Sequence, residues 1–306
     1  MKAGDILKLK PRILSQADRE SYFRDGFVSV KEIVPVDILA RLQQVTADFQ
    51  EQSRLVKQSD DRFDVSPEHS SASPVLRRLK SPDVQHKAYW DFTCGLMADV
   101  AVDLLGPDVV FHHSKLNFKW FDTTDTVKWH QDIQFYPHTN YNVLTIGCYL
   151  ADTDMSNGPL AALQGSHNEK LYDQYDEDGN WTGMLSDSEA AGLDDSRVKY
   201  MTGKAGTITI HNARTLHYSP ASKNSVPRPL LLNAYTSADA KPYTAHSSPT
   251  ENTYKIVRGE QAVWAEHDSR PCQLPPDWAG TYSSIYAAQS GENKSDWSDF
   301  IYPAMF

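Results

Sequence analysis

The sequence predicts a mainly β chain with flanking helices, an antiparallel barrel or sandwich preceded by helical segments. Two observations carry this. Apolar residues recur at helical spacing up to Leu105, and beyond Gly106-Pro107 the pattern changes to short β-branched or aromatic runs punctuated by Gly, Pro, Asn and Asp. The 306 residues are enough for one large domain with a substantial core. We expect a single domain, with N-terminal helices over about 15–105, a β core over about 107–240 and a C-terminal extension over 241–306.

Taken in order, Ser15 is placed to cap a short helix that Gly26 stops in a left-handed conformation, and Phe27 to Val30 reads as a first strand. Pro35 followed by Ile38, Leu39, Leu42, Val45 and Phe49 predicts a second helix to about Glu51, and the polar stretch Gln52 to Ser73 reads as a loop. A third amphipathic segment runs from about Gln85 to Leu105. The strand candidates are Val109 to Phe121, Tyr141 to Leu150, Leu160 to Leu163, Thr207 to His211 and Pro229 to Ser237. Between Asn168 and Lys199 the chain is acidic and turn-rich, which predicts a solvated insertion; a lid over a ligand pocket is the alternative.

The formal net charge of −10 argues against a nucleic-acid partner, since phosphate binding needs clustered Lys and Arg, but leaves room for a local basic pocket. Cys94, Cys148 and Cys272 lie far apart with no C-x-x-C pair, so neither a disulfide framework nor a thiolate zinc site is expected. Met1 to Leu14 lacks the apolar run of a signal peptide, no stretch reaches membrane-spanning length, and Pro303 to Phe306 is no Ser-Lys-Leu address. A cytoplasmic location is the expectation, with no membrane partner.

Chemistry concentrates in Trp129-His130-Gln131-Asp132. At strand spacing residues 130 and 132 share a face and can address one ion together. A 2-His-1-carboxylate iron site needs one more histidine and leaves positions open for cosubstrate and O2. His-x-Asp alone is weak. What strengthens it is Thr209 to Pro220, which contains His211 and His217-Tyr218-Ser219, followed by Arg228 eleven places after His217. His211 is the rival to His217 as third ligand. His112 and His113 read as structural or pocket-lining ahead of a paired-histidine metal role, and His167 reads as shaping a turn. Trp129, Phe135, Tyr136 and Tyr141 are core aromatics or pocket wall.

His130-Gln131-Asp132, Asn157-Gly158-Pro159-Leu160, Gly165-Ser166-His167, His217-Tyr218-Ser219 and Arg228, in this order and spacing, resemble the phytanoyl-CoA dioxygenase family, and the run from Leu14 to Val30 resembles that family's opening. The resemblance covers nearly the whole chain. It implies a double-stranded β-helix (jelly roll, cupin-like) core and an Fe(II)- and 2-oxoglutarate-dependent oxygenase with O2 as second cosubstrate. It makes His130, Asp132 and His217 the iron ligands and Arg228 the clamp on the far carboxylate of 2-oxoglutarate, with Ser219 bonding the same carboxylate. A planar guanidinium suits that task because it offers a carboxylate two parallel charge-assisted hydrogen bonds. Thr145 and Asn117 would make secondary cosubstrate contacts, and Lys80 stands roughly where some members direct a lysine at 2-oxoglutarate.

Related halogenating enzymes lack the carboxylate, so Asp132 points to oxygen insertion or a relative such as desaturation or ring closure. The reaction expected is hydroxylation of an unactivated C–H bond in a small polar or specialised-metabolite substrate, preferred to a long acyl-CoA because the chain is acidic. The competing classes are a catalytically silent 2-oxoglutarate or metal binder and a cupin-type metal enzyme that does not use 2-oxoglutarate.

Overall fold

A computed structural model describes residues 1–121, 126–276 and 285–290. The C-terminal residues read above for a targeting address lie outside these. Twelve strands among the described residues form two antiparallel sheets. They are β1 (Phe27–Val30), β2 (Phe63–Val65), β3 (Leu76–Lys80), β4 (Val109–Asn117), β5 (Val127–His130), β6 (Val143–Tyr149), β7 (Leu160–Leu163), β8 (Val198–Met201), β9 (Ile208–Asn212), β10 (His217–Ser219), β11 (Leu230–Ser237) and β12 (Ile256–Arg258). The larger sheet runs β1-β9-β6-β11-β4-β3-β2, with β12 also on β4, and the smaller runs β5-β10-β7-β8. The architecture is the jelly roll that the resemblance implied.

Alternation along the strands of the larger sheet separates two environments. Phe111, Leu116, Leu144, Ile146, Cys148, Ile208, Ile210, Leu231 and Tyr235 join one apolar core with Leu42, Val45, Phe49, Tyr89, Val100 and Leu104 from the helices. Thr145, His211 and Lys115 fall on the other face, toward the site described below. The helices thus cover the sheet's back.

The first helix, α1 (Ala3–Ile6), is a single turn, and α2 (Gln16–Asp25) is bounded as the sequence indicated. Ser15 forms a capping box with Asp18, and Gly26 takes φ 86°. The longest helix, α3 (Val36–Ser53), begins on Pro35. The third helical segment differs from expectation. It is broken into α4 (Pro82–Gln85), α5 (Lys87–Phe92), a π-turn (Thr93–Met97) and α6 (Ala98–Leu105). His86 is extended and its Nδ1 accepts from the Ala88 amide. At the π-turn Gly95 leaves helical geometry, and the displaced carbonyls find other donors: Tyr235 Oη on Thr93 O, and Arg258 on Cys94 O and Gly95 O.

The stretch expected to be a loop contains β2, and β3 follows it unforeseen, so Lys80 ends a strand. The acidic segment after Asn168 is in two parts. Residues 176–180 are exposed, as anticipated, but Gln174 is buried and donates to Gln131 O at 3.0 Å and Gln134 Oε1 at 2.7 Å. This part is a strap on the Gln131–Gln134 turn. The three cysteines are free thiols, and no helix among the described residues is long and apolar enough to cross a membrane.

Candidate active site

β5 ends on His130, and Gln131 keeps extended backbone (φ −122°, ψ 124°) before a 3-10 turn at Asp132–Gln134. Side chains 130 and 132 therefore project to one side. β10 pairs antiparallel with β5, with His217 opposite His130, and the two imidazole centroids stand 4.1 Å apart. Ligand atoms of His130, Asp132 and His217 all lie within 4.8 Å of one another, on three buried residues. Asp132 Oδ1 is 3.5 Å from His130 Nε2 and 3.7 Å from His217 Nε2.

Backbone carbonyls set both tautomers. His130 Nδ1 donates to Lys128 O at 2.8 Å and His217 Nδ1 to Thr215 O at 2.9 Å. A carbonyl only accepts, so each ring carries its proton on Nδ1 and its lone pair on Nε2, facing the shared centre. Asp132 is divided in the same way. Its Oδ2 accepts from Tyr136 Oη at 2.8 Å, Thr145 Oγ1 at 3.1 Å and His211 Nε2 at 3.3 Å, which leaves Oδ1 as the oxygen turned to the histidines.

Burial by itself would raise the Asp132 carboxyl. The Lys115 ammonium leads the groups that outweigh it, joined by the His211 N–H on Oδ2, and the carboxyl is held well below the usual carboxylate range. Burial, then the neighbouring His130 and His211 rings, push His217 well below the ordinary imidazole value. A carboxylate and a neutral imidazole are the states in which these groups bind a metal. The donor set, two nitrogens and one oxygen on one face, fits a divalent iron with open positions.

Arg228 is 2% exposed. Its backbone exchanges hydrogen bonds with Lys119, whose Nζ donates to Ser219 O at 2.9 Å, so one residue ties Arg228 to the strand carrying His217. The guanidinium carbon lies 5.7 Å from the Tyr149 ring centroid. Its Nε and Nη1 are buried without a hydrogen-bond partner among the described residues. A buried cation with unused donors is costly unless an anion completes it, so the arrangement fits a carboxylate.

The other expected contacts have protein partners. Ser219 Oγ donates to Gly158 O at 2.9 Å, Asn117 Oδ1 accepts from Arg78 Nε at 3.0 Å, and Lys80 Nζ donates to Asp60 O at 2.7 Å. Thr145 spends its hydroxyl on Asp132. His211 stands behind Asp132 Oδ2 and not beside Oδ1. A cavity of about 430 Å³ opens beside Asp132 and is also lined by Tyr136, Phe135, Lys80, Lys115 and Arg78. Phe135 and Tyr136 are thus pocket wall, while Tyr141 is core and Trp129 packs on Tyr218 at 4.2 Å. His167 follows Gly165 in a short 3-10 turn, in line with its expected role. Sequence reading missed Lys115 and Arg78. Lysine or arginine at a strand position that faces inward is the signal, visible only once the register is known.

A jelly roll carrying a two-histidine, one-carboxylate cluster that could hold a metal ion is the architecture of an Fe(II)- and 2-oxoglutarate-dependent oxygenase. Residues 22–230 match the family model described as phytanoyl-CoA dioxygenase. The chain belongs to that family. It is 30% identical over 270 residues, covering 86% of this chain and 92% of the relative, to a probable alpha-ketoglutarate-dependent hypophosphite dioxygenase of Stutzerimonas stutzeri. It is 24% identical over 255 residues, 75% of this chain and 79% of the relative, to the ectoine dioxygenase of Sphingopyxis alaskensis. Among solved structures, EctD from S. alaskensis with 2-oxoglutarate and 5-hydroxyectoine superposes with a TM-score of 0.65 at 21% identity, over 84% of this chain and 92% of that one.

Proposed function

We propose that this chain hydroxylates a small polar substrate, with Fe(II) held by His130 Nε2, Asp132 Oδ1 and His217 Nε2 and with 2-oxoglutarate anchored through its distal carboxylate by Arg228. The observation that carries the reading is the convergence of the three ligand atoms within 4.8 Å, each with its second polar atom already engaged by the protein. Bound Fe(II) supplies O2 activation coupled to decarboxylation of 2-oxoglutarate to succinate and CO2, with one oxygen atom going to the substrate.

The protein's own residues do the rest. Tyr136, Thr145 and His211 hold Asp132 Oδ2, which keeps Oδ1 aimed at the centre it shares with the two histidines. Arg228 supplies two unused N–H groups to an anion in a dry environment, and Ser219, tethered beside it through Lys119, has a hydroxyl that can turn from Gly158 O to the same anion. Thr145, Asn117 and Lys80 would supply secondary contacts to the cosubstrate on leaving their present partners Asp132, Arg78 and Asp60 O. The cavity beside Asp132, about 430 Å³, fits a small substrate, in keeping with relatives named for hypophosphite and ectoine.

The test is succinate formation from 2-oxoglutarate by purified protein under Fe(II) and O2, with 2-oxoglutarate affinity compared between the wild type and Arg228→Ala. Unchanged affinity in the variant would remove the cosubstrate assignment.

A further inference from the structure

A second group of imidazoles lies outside the ligand set. Ligand atoms of His112, His113 and His246 fall within 4.8 Å of one another, and all three residues line the cavity that Asp132 opens onto. Two consecutive strand residues ordinarily face opposite ways. Here the pairing of β4 with β11 slips: Ala234 faces His113 and Tyr235 faces Phe111, so His112 is an extra, bulged residue. The bulge turns His112 to the same side as His113. Tyr136 links this group to the metal site, its ring 4.9 Å from His112 and its hydroxyl on Asp132.

The hydrogen bonds say what the group can hold. His246 Nδ1 accepts from the Ser248 amide at 3.0 Å, so its proton is on Nε2, which is buried and has no hydrogen-bond partner among the described residues. His112 Nδ1 and His113 Nδ1 share one hydrogen bond of 2.7 Å; the ring that donates has a lone pair on its Nε2 and its neighbour keeps a proton on Nε2, so the pair offers one N–H donor and one acceptor, the acceptor suited to the P–OH of a singly ionised head group. Arg78, 6% exposed, lines the same cavity, its Nη2 without a hydrogen-bond partner among the described residues. Lys115 and Lys80 add two more cations to the lining, against the carboxylates of Asp132 and the exposed Asp61. Donors and positive charge dominate, which disfavours a second metal cation and favours an anion.

We propose that His112, His113 and His246, with Lys115 and Arg78, form an oxyanion cradle that holds a phosphonate- or phosphinate-type head group of the substrate beside the metal site. The inference rests on the oxygenase reading and names its substrate class. Its donors arrive from β3, from β4 and from the 242–254 segment, with ring planes 74° and 39° from that of His112. Donors closing in from several directions match a tetrahedral group better than a planar carboxylate, which one guanidinium fork would satisfy. The site also places the atom bonded to the head group within the cavity that Asp132 lines.

Calorimetric titration of the Fe(II)- and 2-oxoglutarate-loaded protein, without O2, tests the cradle with methylphosphonate and with acetate. We expect methylphosphonate to bind and acetate to bind at least tenfold more weakly. The Kd for methylphosphonate should rise at least tenfold in His246→Ala and in Lys115→Gln, with a smaller rise in His246→Gln, which keeps an N–H donor. No methylphosphonate binding, equal binding of acetate, or binding that ignores all three substitutions overturns the cradle. So does metal analysis that finds a second equivalent of metal lost on His246→Ala. Succinate formation by the wild type in air is read separately. If it occurs while methylphosphonate gives no heat, the cradle fails and the oxygenase reading stands; if methylphosphonate binds while no succinate forms, the oxygenase reading fails and the anion site stands.

Discussion

Tyr136 Oη donates to Asp132 Oδ2 at 2.8 Å, and Thr145 Oγ1 reaches the same oxygen at 3.1 Å from β6 of the larger sheet. Outer hydrogen bonds of this kind fix which oxygen faces the metal. Tyr136→Phe and Thr145→Val are each expected to weaken Fe(II) binding by about 10-fold, and the double variant by more than either alone. Fe(II) titration of the three proteins measures it.

His211 and His217 are six residues apart, but only His217 Nε2 approaches Asp132 Oδ1, at 3.7 Å; His211 Nε2 lies on Oδ2. His217→Ala should abolish stoichiometric Fe(II) binding. His211→Ala should retain one equivalent with affinity reduced roughly 10- to 100-fold. Equal loss in the two variants would show that the assignment of the third ligand is wrong.

Arg228→Ala removes the only cation proposed for the distal carboxylate and leaves a buried anion uncompensated, an effect of about 2–5 kcal/mol. The KM for 2-oxoglutarate should therefore rise by at least about 30-fold. Arg228→Lys should recover only part of this, because an ammonium cannot form the parallel pair of bonds. Steady-state succinate assays over a range of 2-oxoglutarate concentrations give both values.

Gly158 sits at φ 66°, and a Cβ there would stand 2.3 Å from Pro220 O. Left-handed backbone and a clash with a carbonyl act together, so Gly158→Ala should destabilise the fold by at least about 2 kcal/mol. Since Gly158 O is the acceptor for Ser219 Oγ, 2-oxoglutarate affinity should fall as well. Thermal melting and a binding titration separate the two effects.

Burial lowers His138 from 6.5 to about 4. The folded state then holds fewer protons than the unfolded chain between those values, so stability rises with pH across this window. The contribution is fully present above about pH 6.5 and is lost as pH falls toward about 4. His138→Asn, which keeps a donor near the position of Nδ1, should lose less stability than the wild type when urea unfolding is compared at pH 7 and pH 5. An equal loss would place the acid sensitivity elsewhere.

Much of the frame was legible because apolar alternation and capping are local. Ser15, Gly26 and Phe27 to Val30 could be read residue by residue, and the five β-core candidates each contain a strand at nearly the expected bounds. The strands that escaped are short or carry charge. In Leu76-Arg77-Arg78-Leu79-Lys80 two arginines are buried at 9% and 6% exposure, so hydrophobicity gives no period to find. β5 and β10 are three or four residues long and carry the histidines whose polarity masks them. His130 and Asp132 could be paired from their spacing and His217 preferred over His211 through the family resemblance, while the pocket's cations and His246 were not readable, because their approach depends on register and on a loop without periodicity.

The slipped pairing at His112 has a consequence for how such a protein can diverge. Deleting that one codon would let β4 run in regular alignment with β11, retaining His113 and every side chain after it in place while withdrawing a single imidazole from the pocket. The proposed iron ligands, on β5, on the turn after it and on β10, would be untouched. A one-residue change of length at this point is thus a route by which a lineage can exchange one ligand preference for another while the barrel and its oxidising centre are inherited intact.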